Sequence, residues 1–252
     1  MVKAEQLIDT FSKKPYQGAF RHLSRKTVAE QLSARVAAPY LINQGGAGLC
    51  AGAAIIYGIA RHSPVEYVRM VTELFDYGKT RLHKWVLEPC ADLKSYNLPT
   101  RRVPEADWLI LASIRDSENW FIDYQKVTDF GGANIYEFLR WVKKAGYTDV
   151  REDWNHVMNK TPENLYRASE LYEKNYHVCL LIDACALGSE KAFISRPNHW
   201  VVLRSNITTT GSFSGPVNMQ VFTWGSLRKM PKGRMKVDDF VDYYYGYVAA
   251  KY

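Results

Sequence analysis

The chain predicts an α+β fold, helical over its first two-thirds and β over its last third. Three observations carry that expectation. Up to about residue 175, apolar residues recur at helical spacing between caps and breakers. From about residue 176, short β-type runs take over, separated by turn-rich stretches. The two kinds are segregated rather than alternating, which favours an antiparallel sheet beside helices over a parallel βαβ layout.

Residues 1–40 read as a polar, helical leading segment. Ala4–Phe11 and Thr27–Ala37 have helical spacing, and Pro39 stops the second run. Residues 41–252 are expected to form one domain, with a helical lobe over about 41–175 and a β lobe over about 176–252. Asn43–Ala60 (NQGGAGLCAGAAIIYGIA) is a glycine-rich loop running into a small, apolar helix that should be buried. Ser63, Pro64 and Glu66 have the spacing of an N-cap, a first helical position and a capping box, and Gly78 ends that helix. Residues 79–100 are mixed, with Pro89 and Pro99 as breaks. A third helix runs from Pro104 to Trp120. Gly131-Gly132 opens another, with Ile135, Phe138, Leu139 and Val142 on its apolar face and Gly146 at its end. Thr161-Pro162 starts a further helix through Asn175. In the β lobe, His177–Cys185 and His199–Ser205 are β-type runs joined to a third, Asn218–Leu227, by the turn-rich residues 206–218. Asp238–Tyr245 reads as a short helix and Gly246–Tyr252 as a last strand.

The 252 residues are 47% hydrophobic and 23% charged, an ordinary globular composition. No apolar run approaches the roughly 20 residues of a membrane span, so no membrane span is expected. The first residues lack the unbroken apolar stretch of a classical signal peptide. Cys50, Cys90, Cys179 and Cys185 do not look like a disulfide framework, which points to reduced thiols. No Cys–His spacing matches a zinc site, and neither a metal nor another cofactor is expected. The net charge is +7, but the basic pairs are scattered and no nucleic-acid motif organises them. A solvated basic surface is expected, and nucleic acid is not an expected partner.

Chemistry concentrates at Cys50, where the glycine loop meets the helix. First-turn N–H groups have no intrahelical partners, and the positive end of the helix favours an anion. A thiol held there has its pKa lowered and supplies more thiolate, the reactive form. Glycines let the backbone pass close to whatever Cys50 attacks, and the Gln44 amide is near enough in sequence to enter the same space. A lone cysteine in an apolar helix is ordinarily packing; a base would change that. Among the six histidines, His22, His62 and His83 read as surface residues, His156 lies in a polar stretch, and His177 leads into apolar packing. His199 follows Pro197-Asn198 and opens the strand HWVVL, in the lobe opposite the cysteine helix. A histidine at a strand end reaches a thiol across a cleft without crossing a core. The glycines are no phosphate cradle, because no Lys-Ser/Thr follows them and no clear strand feeds them.

This pattern resembles the papain-like cysteine peptidases. The local match is Gln44-Gly45-x-x-Gly48-x-Cys50, the Gln six residues before the Cys in a Q-G-x-x-G-x-C loop. The family's catalytic His follows about 130–150 residues later; here 199 − 50 = 149. The return strand ends Phe222-Thr223-Trp224-Gly225, against an Asn-Ser-Trp-Gly in the family. Two positions depart. Ala51 stands where plant and lysosomal members carry an aromatic, and Phe222 stands at the position of the orienting Asn. Thr223 is the nearest polar residue and lies beside His199 if the two strands pair as a hairpin. In bacterial effector proteases of the superfamily an Asp stands in that region, and Thr223 matches its place. Asp183, on the preceding strand, is the alternative orienter.

The resemblance implies a helical lobe carrying Cys50 packed on an antiparallel β lobe carrying His199. Cys50 attacks an acyl carbonyl. His199 acts as base and then acid, oriented by Thr223 or Asp183, or as a dyad without a strong third partner. Gln44 and the Cys50 N–H stabilise the oxyanion, and Trp224 shields His199 from water. The expected activity is a thiol-dependent hydrolase of a peptide or amide bond, of the divergent bacterial effector or toxin type. Such a protein is secreted or injected by the producing cell and acts in a reducing, cytosolic target compartment. Its partners are a protein or peptide substrate and an immunity or host protein. The same Cys–His chemistry runs glutamine deamidation and transglutaminase-type acyl transfer, and a papain fold without activity serves as a binding module.

Overall fold

Helical spacing puts Ala4, Ile8 and Phe11 on one buried face of α1 (Val2–Ser12). The computed structural model describes residues 2–46, 48–97, 103–118, 133–155, 160–188, 195–209 and 215–252. Ala47 of the glycine loop, the end of the third expected helix, Gly131-Gly132, His156 and part of the 206–218 connection lie outside the described residues. The chain is α+β and divides into two units, Met1–Gly146 and Tyr147–Tyr252.

In the first unit, α1 packs on α2 (Arg25–Ala37) and α4 (Pro64–Tyr77). The leading segment is therefore part of this unit rather than a separate piece. Next, α3 (Cys50–His62) packs mainly on α4, and every residue from Cys50 to Ala60 is buried. Its small residues admit close neighbours: a Cβ on Gly52 would meet Leu111 at 3.4 Å. Pro64 and Gly78 (φ 68°) begin and end α4 as expected. The capping box does not form. Ser63 is also the last cap of α3, its N–H bonded to the Ile59 carbonyl, and its hydroxyl makes no cap bond to α4. Glu66 pairs with Arg69 instead, at 2.7 Å. The mixed residues after Gly78 form a hairpin, β1 (Thr80–Leu82) and β2 (Trp85–Leu87), followed by α5 (Ala91–Lys94). Then come α6 (Glu105–Glu118) and α7 (Ile135–Lys144). A reciprocal Asn134–Glu137 capping box starts α7, with both bonds at 3.0 Å.

The second unit holds β3 (Thr148–Trp154), α8 (Glu163–Glu173), β4 (His177–Ile182), β5 (His199–Leu203) and β6 (Thr208–Thr209). It continues through β7 (Val217–Thr223), β8 (Ser226–Met230), α9 (Val237–Val241) and β9 (Tyr244–Lys251). One antiparallel sheet has the order β3-β9-β4-β5-β7-β6, with β8 also on β7. The central strands β4 and β5 are buried along their whole length. The sheet's apolar face, including Leu180, Ile182, Val201 and Val221, forms a core with residues of α8 and α9 such as Leu165 and Phe240.

Two expectations change here. The sheet unit begins at Tyr147 rather than near residue 176, because the charged segment Thr148–Trp154 pairs with β9. The expected strand Asn218–Leu227 is a hairpin: Thr223 pairs with Ser226, and Trp224 (φ 45°) and Gly225 (φ 70°) form a two-residue turn between β7 and β8. Both turn residues need positive φ, the conformation that matches the strand twist.

Candidate functional site

His199 is the first residue of β5, opposite Ile182 of β4. On its other side β5 pairs with β7 through Val202↔Phe222 and Leu203↔Val221. That register, continued, sets Val201 opposite Thr223. His199 and Thr223 are then diagonal neighbours on one face, while Phe222 shares the opposite face with Val202. The hydrogen bond agrees: His199 Nε2 and Thr223 Oγ1 are 2.6 Å apart, with the residues only 4% and 2% exposed. The side chain beside the His199 ring is therefore Thr223, not Phe222.

The tight turn after Thr223 puts the Trp224 indole on the imidazole, with ring centroids 4.5 Å apart and planes 21° from parallel. The Arg228 guanidinium also lies against that indole, 5.0 Å from its centroid. Burial first, and then the positive charge of Arg228, push the His199 pKa down from 6.5 to about 4. The imidazole is neutral at physiological pH. A threonine hydroxyl both donates and accepts, so it holds the ring without fixing its tautomer as an amide oxygen would.

Asp183 has another task. Its Oδ1 accepts the Cys185 N–H at 2.9 Å and its Oδ2 the Arg196 N–H at 2.8 Å. Burial opposes its charge, but these donors outweigh burial and hold its carboxyl below the usual range. Asn198 Oδ1 accepts the Ala184 N–H at 2.8 Å. The two side chains fasten the chain just before His199 onto the end of β4. Asp183 positions this segment; the bond to the His199 ring comes from Thr223.

The first unit carries Gln44 and Cys50, which are 5% and 2% exposed. Gly45 (φ 58°) and Gly48 (φ 63°) turn the loop through a conformation that other residues rarely adopt. The loop is anchored from beneath by Asp107 of α6. Asp107 accepts the Asn43 N–H at 2.9 Å and takes both Arg35 bonds at 2.6 Å. Asn43 Oδ1 in turn accepts the Gly45 N–H at 2.9 Å. Asp107 is fully buried; burial pushes its carboxyl up, against the pull of Arg35 and the Asn43 N–H. Cys50 heads α3, with Leu49 as the N-cap and the first ladder bond running from the Ala53 N–H to the Leu49 carbonyl.

No family model and no curated protein matches the chain.

His199, Thr223 and Trp224 meet within the second unit, and Gln44 and Cys50 share one loop-to-helix junction in the first. None of the four cysteines, all of them described, is in a disulfide. Burial pushes the Cys179 thiol far above its ordinary range, whereas Cys90 is exposed beside Asp116. Among the described residues, no helix is long and apolar enough to cross a membrane. Sequence reasoning missed Asp107 and Arg35. The only available signal was two opposite charges at positions where the helical pattern turns inward.

Proposed function

We propose that the chain is a thiol-dependent hydrolase of peptide or amide bonds with a papain-like arrangement, in which Cys50 is the nucleophile and His199 the general base. The observation that carries this is the buried His199–Thr223 bond under the Trp224 ring. The bond satisfies one buried ring nitrogen, and the imidazole it holds is neutral and able to accept a proton. Thr223 takes Nε2, which leaves Nδ1 as the nitrogen for proton transfer in this reading.

The neutral imidazole accepts the Cys50 proton as sulfur attacks the acyl carbon. The Gln44 amide and the Cys50 N–H hold the oxyanion, an effect typically worth about 3 kcal/mol per donor. His199 returns the proton to the leaving amine. It then draws one from water as the thioester is hydrolysed, which restores the thiol. Trp224 keeps water from the His199–Thr223 bond. The absence of a Cys framework and the resemblance to bacterial effector proteases support a secreted or injected protein acting in a reducing compartment. A protein or peptide is the substrate, with an immunity or host protein as its counterpart.

Mass spectrometry of a complex peptide mixture tests the reaction type. New amino termini that form with the wild-type chain and not with Cys50→Ala support hydrolysis. Conversion of Gln to Glu, or Gln–Lys cross-links, would reassign the same residues to deamidation or acyl transfer. Identical mixtures with both proteins would favour an inactive binding module.

A further inference from the structure

Among the described residues, Arg115 Nη1 and Trp141 Nε1 are buried without a hydrogen-bond partner. Arg115 lies in the last turn of α6 and is 9% exposed; Trp141 lies on α7 and is 2% exposed. Both line one small cavity in the first unit, together with Gly48, Leu49, Ala51 and Gly52 at the head of α3. The rest of its wall is aliphatic.

A buried donor without an acceptor costs about 1–3 kcal/mol, and more when it is charged. Two such donors at one cavity call for an occupant that accepts. The head of α3 adds to the demand. Ala51 and Gly52 precede the first ladder bond, from Ala53, and the helix terminus carries partial positive charge. The cavity holds about one water-sized group. Its polar side chains are donors only, since neither guanidinium nor indole accepts. A water there satisfies the donors but finds no side-chain acceptor for its own hydrogens. A small anion satisfies every donor and offsets the guanidinium charge.

We infer that this cavity is a binding site for a monatomic anion of the halide class, held by Arg115, the Trp141 N–H and the first turn of α3. The site shares the first turn of α3 with Cys50, but anion binding there does not depend on the chemistry proposed for Cys50.

Chloride NMR line width, measured on the full chain in gluconate buffer at constant ionic strength, tests it directly. Titrated chloride should give saturable excess broadening that bromide displaces. Arg115→Gln and Trp141→Phe should each weaken binding at least about tenfold, the loss of one hydrogen bond to a charged group. Circular dichroism checks that each variant is folded. Trp141→Phe keeps the shape of the core and decides the matter alone if Arg115→Gln does not fold. Absence of saturable broadening in the wild type, or unchanged binding in folded Trp141→Phe, would overturn the assignment and leave the cavity to water.

Discussion

His199 makes the stability of the chain depend on pH, with a sign and size that follow from its burial. Its pKa falls from 6.5 to about 4 on folding. Between those values the unfolded chain binds the extra proton and the folded chain does not, so stability is complete above about pH 6.5 and is lost as the pH falls toward 4. At about 1.4 kcal/mol per pH unit, the full gap is worth about 3 kcal/mol, of which roughly 2–3 kcal/mol is gone by about pH 4.5. Other groups, such as Asp107, whose carboxyl burial pushes up, also add to the pH dependence, so the effect must be read as a difference. His199→Gln keeps a polar group beside Thr223 and cannot take up the proton. Urea unfolding of both proteins at about pH 7.5 and about pH 4.5 gives the comparison. The wild type should lose roughly 2–3 kcal/mol more than His199→Gln. Equal losses would mean that His199 is not held as a buried neutral ring, and the argument for a poised base would fail with it.

Other perturbations separate the parts of the site. Thr223→Val keeps the shape but leaves the imidazole nitrogen unpartnered, at a cost of about 1–3 kcal/mol; thermal melts should show it, with Thr223→Ser recovering most of the loss. Trp224→Asn relieves an aromatic residue of positive φ in the hairpin turn, which favours the backbone by about 1 kcal/mol. It also uncovers His199, so the imidazole pKa, followed by NMR, should rise toward 6.5. Asp107→Asn leaves Arg35 buried without its counter-charge and should destabilise the chain by about 3–5 kcal/mol, measured by chemical denaturation.

The sequence announced what local chemistry controls. Pro64 and Gly78 bounded α4, and the unbroken apolar stretch after Cys50 gave a helix buried along its length. The strands β4 and β5 showed themselves as continuous apolar runs, as strands covered on both faces do. Thr148–Trp154 was invisible because an edge strand of alternating charge carries no apolar signal, and charge is how edges are kept from pairing with other chains. The Trp224-Gly225 turn was hidden because a two-residue turn usually advertises itself by Asn or Asp before the glycine. Phe222 stands at the position of the family's Asn, while Thr223, the polar residue next to it, is the one bonded to His199. Side chains alternate across a strand, so the β5–β7 register puts Thr223 beside His199 as the expected strand pairing required, and turns Phe222 to the opposite face. Asp107 lay beyond reach for a different reason: its value comes from partners 64 and 72 residues away in the chain, Asn43 and Arg35.

The most direct test of the Cys50–His199 partnership is the rate of iodoacetamide labelling at each cysteine, resolved by peptide mass spectrometry from about pH 4 to about pH 9. Cys90 is exposed, and burial and its neighbour Asp116 raise its pKa, so it serves as the internal comparison. The account predicts that Cys50, though only 2% exposed, labels faster than Cys90 well below the ordinary thiol pKa of about 8.5. It also predicts that His199→Ala slows Cys50 at least about tenfold while leaving Cys90 unchanged. A Cys50 that labels slowly, with an ordinary thiol profile that His199→Ala does not alter, would contradict the account and make Cys50 a packing residue of α3.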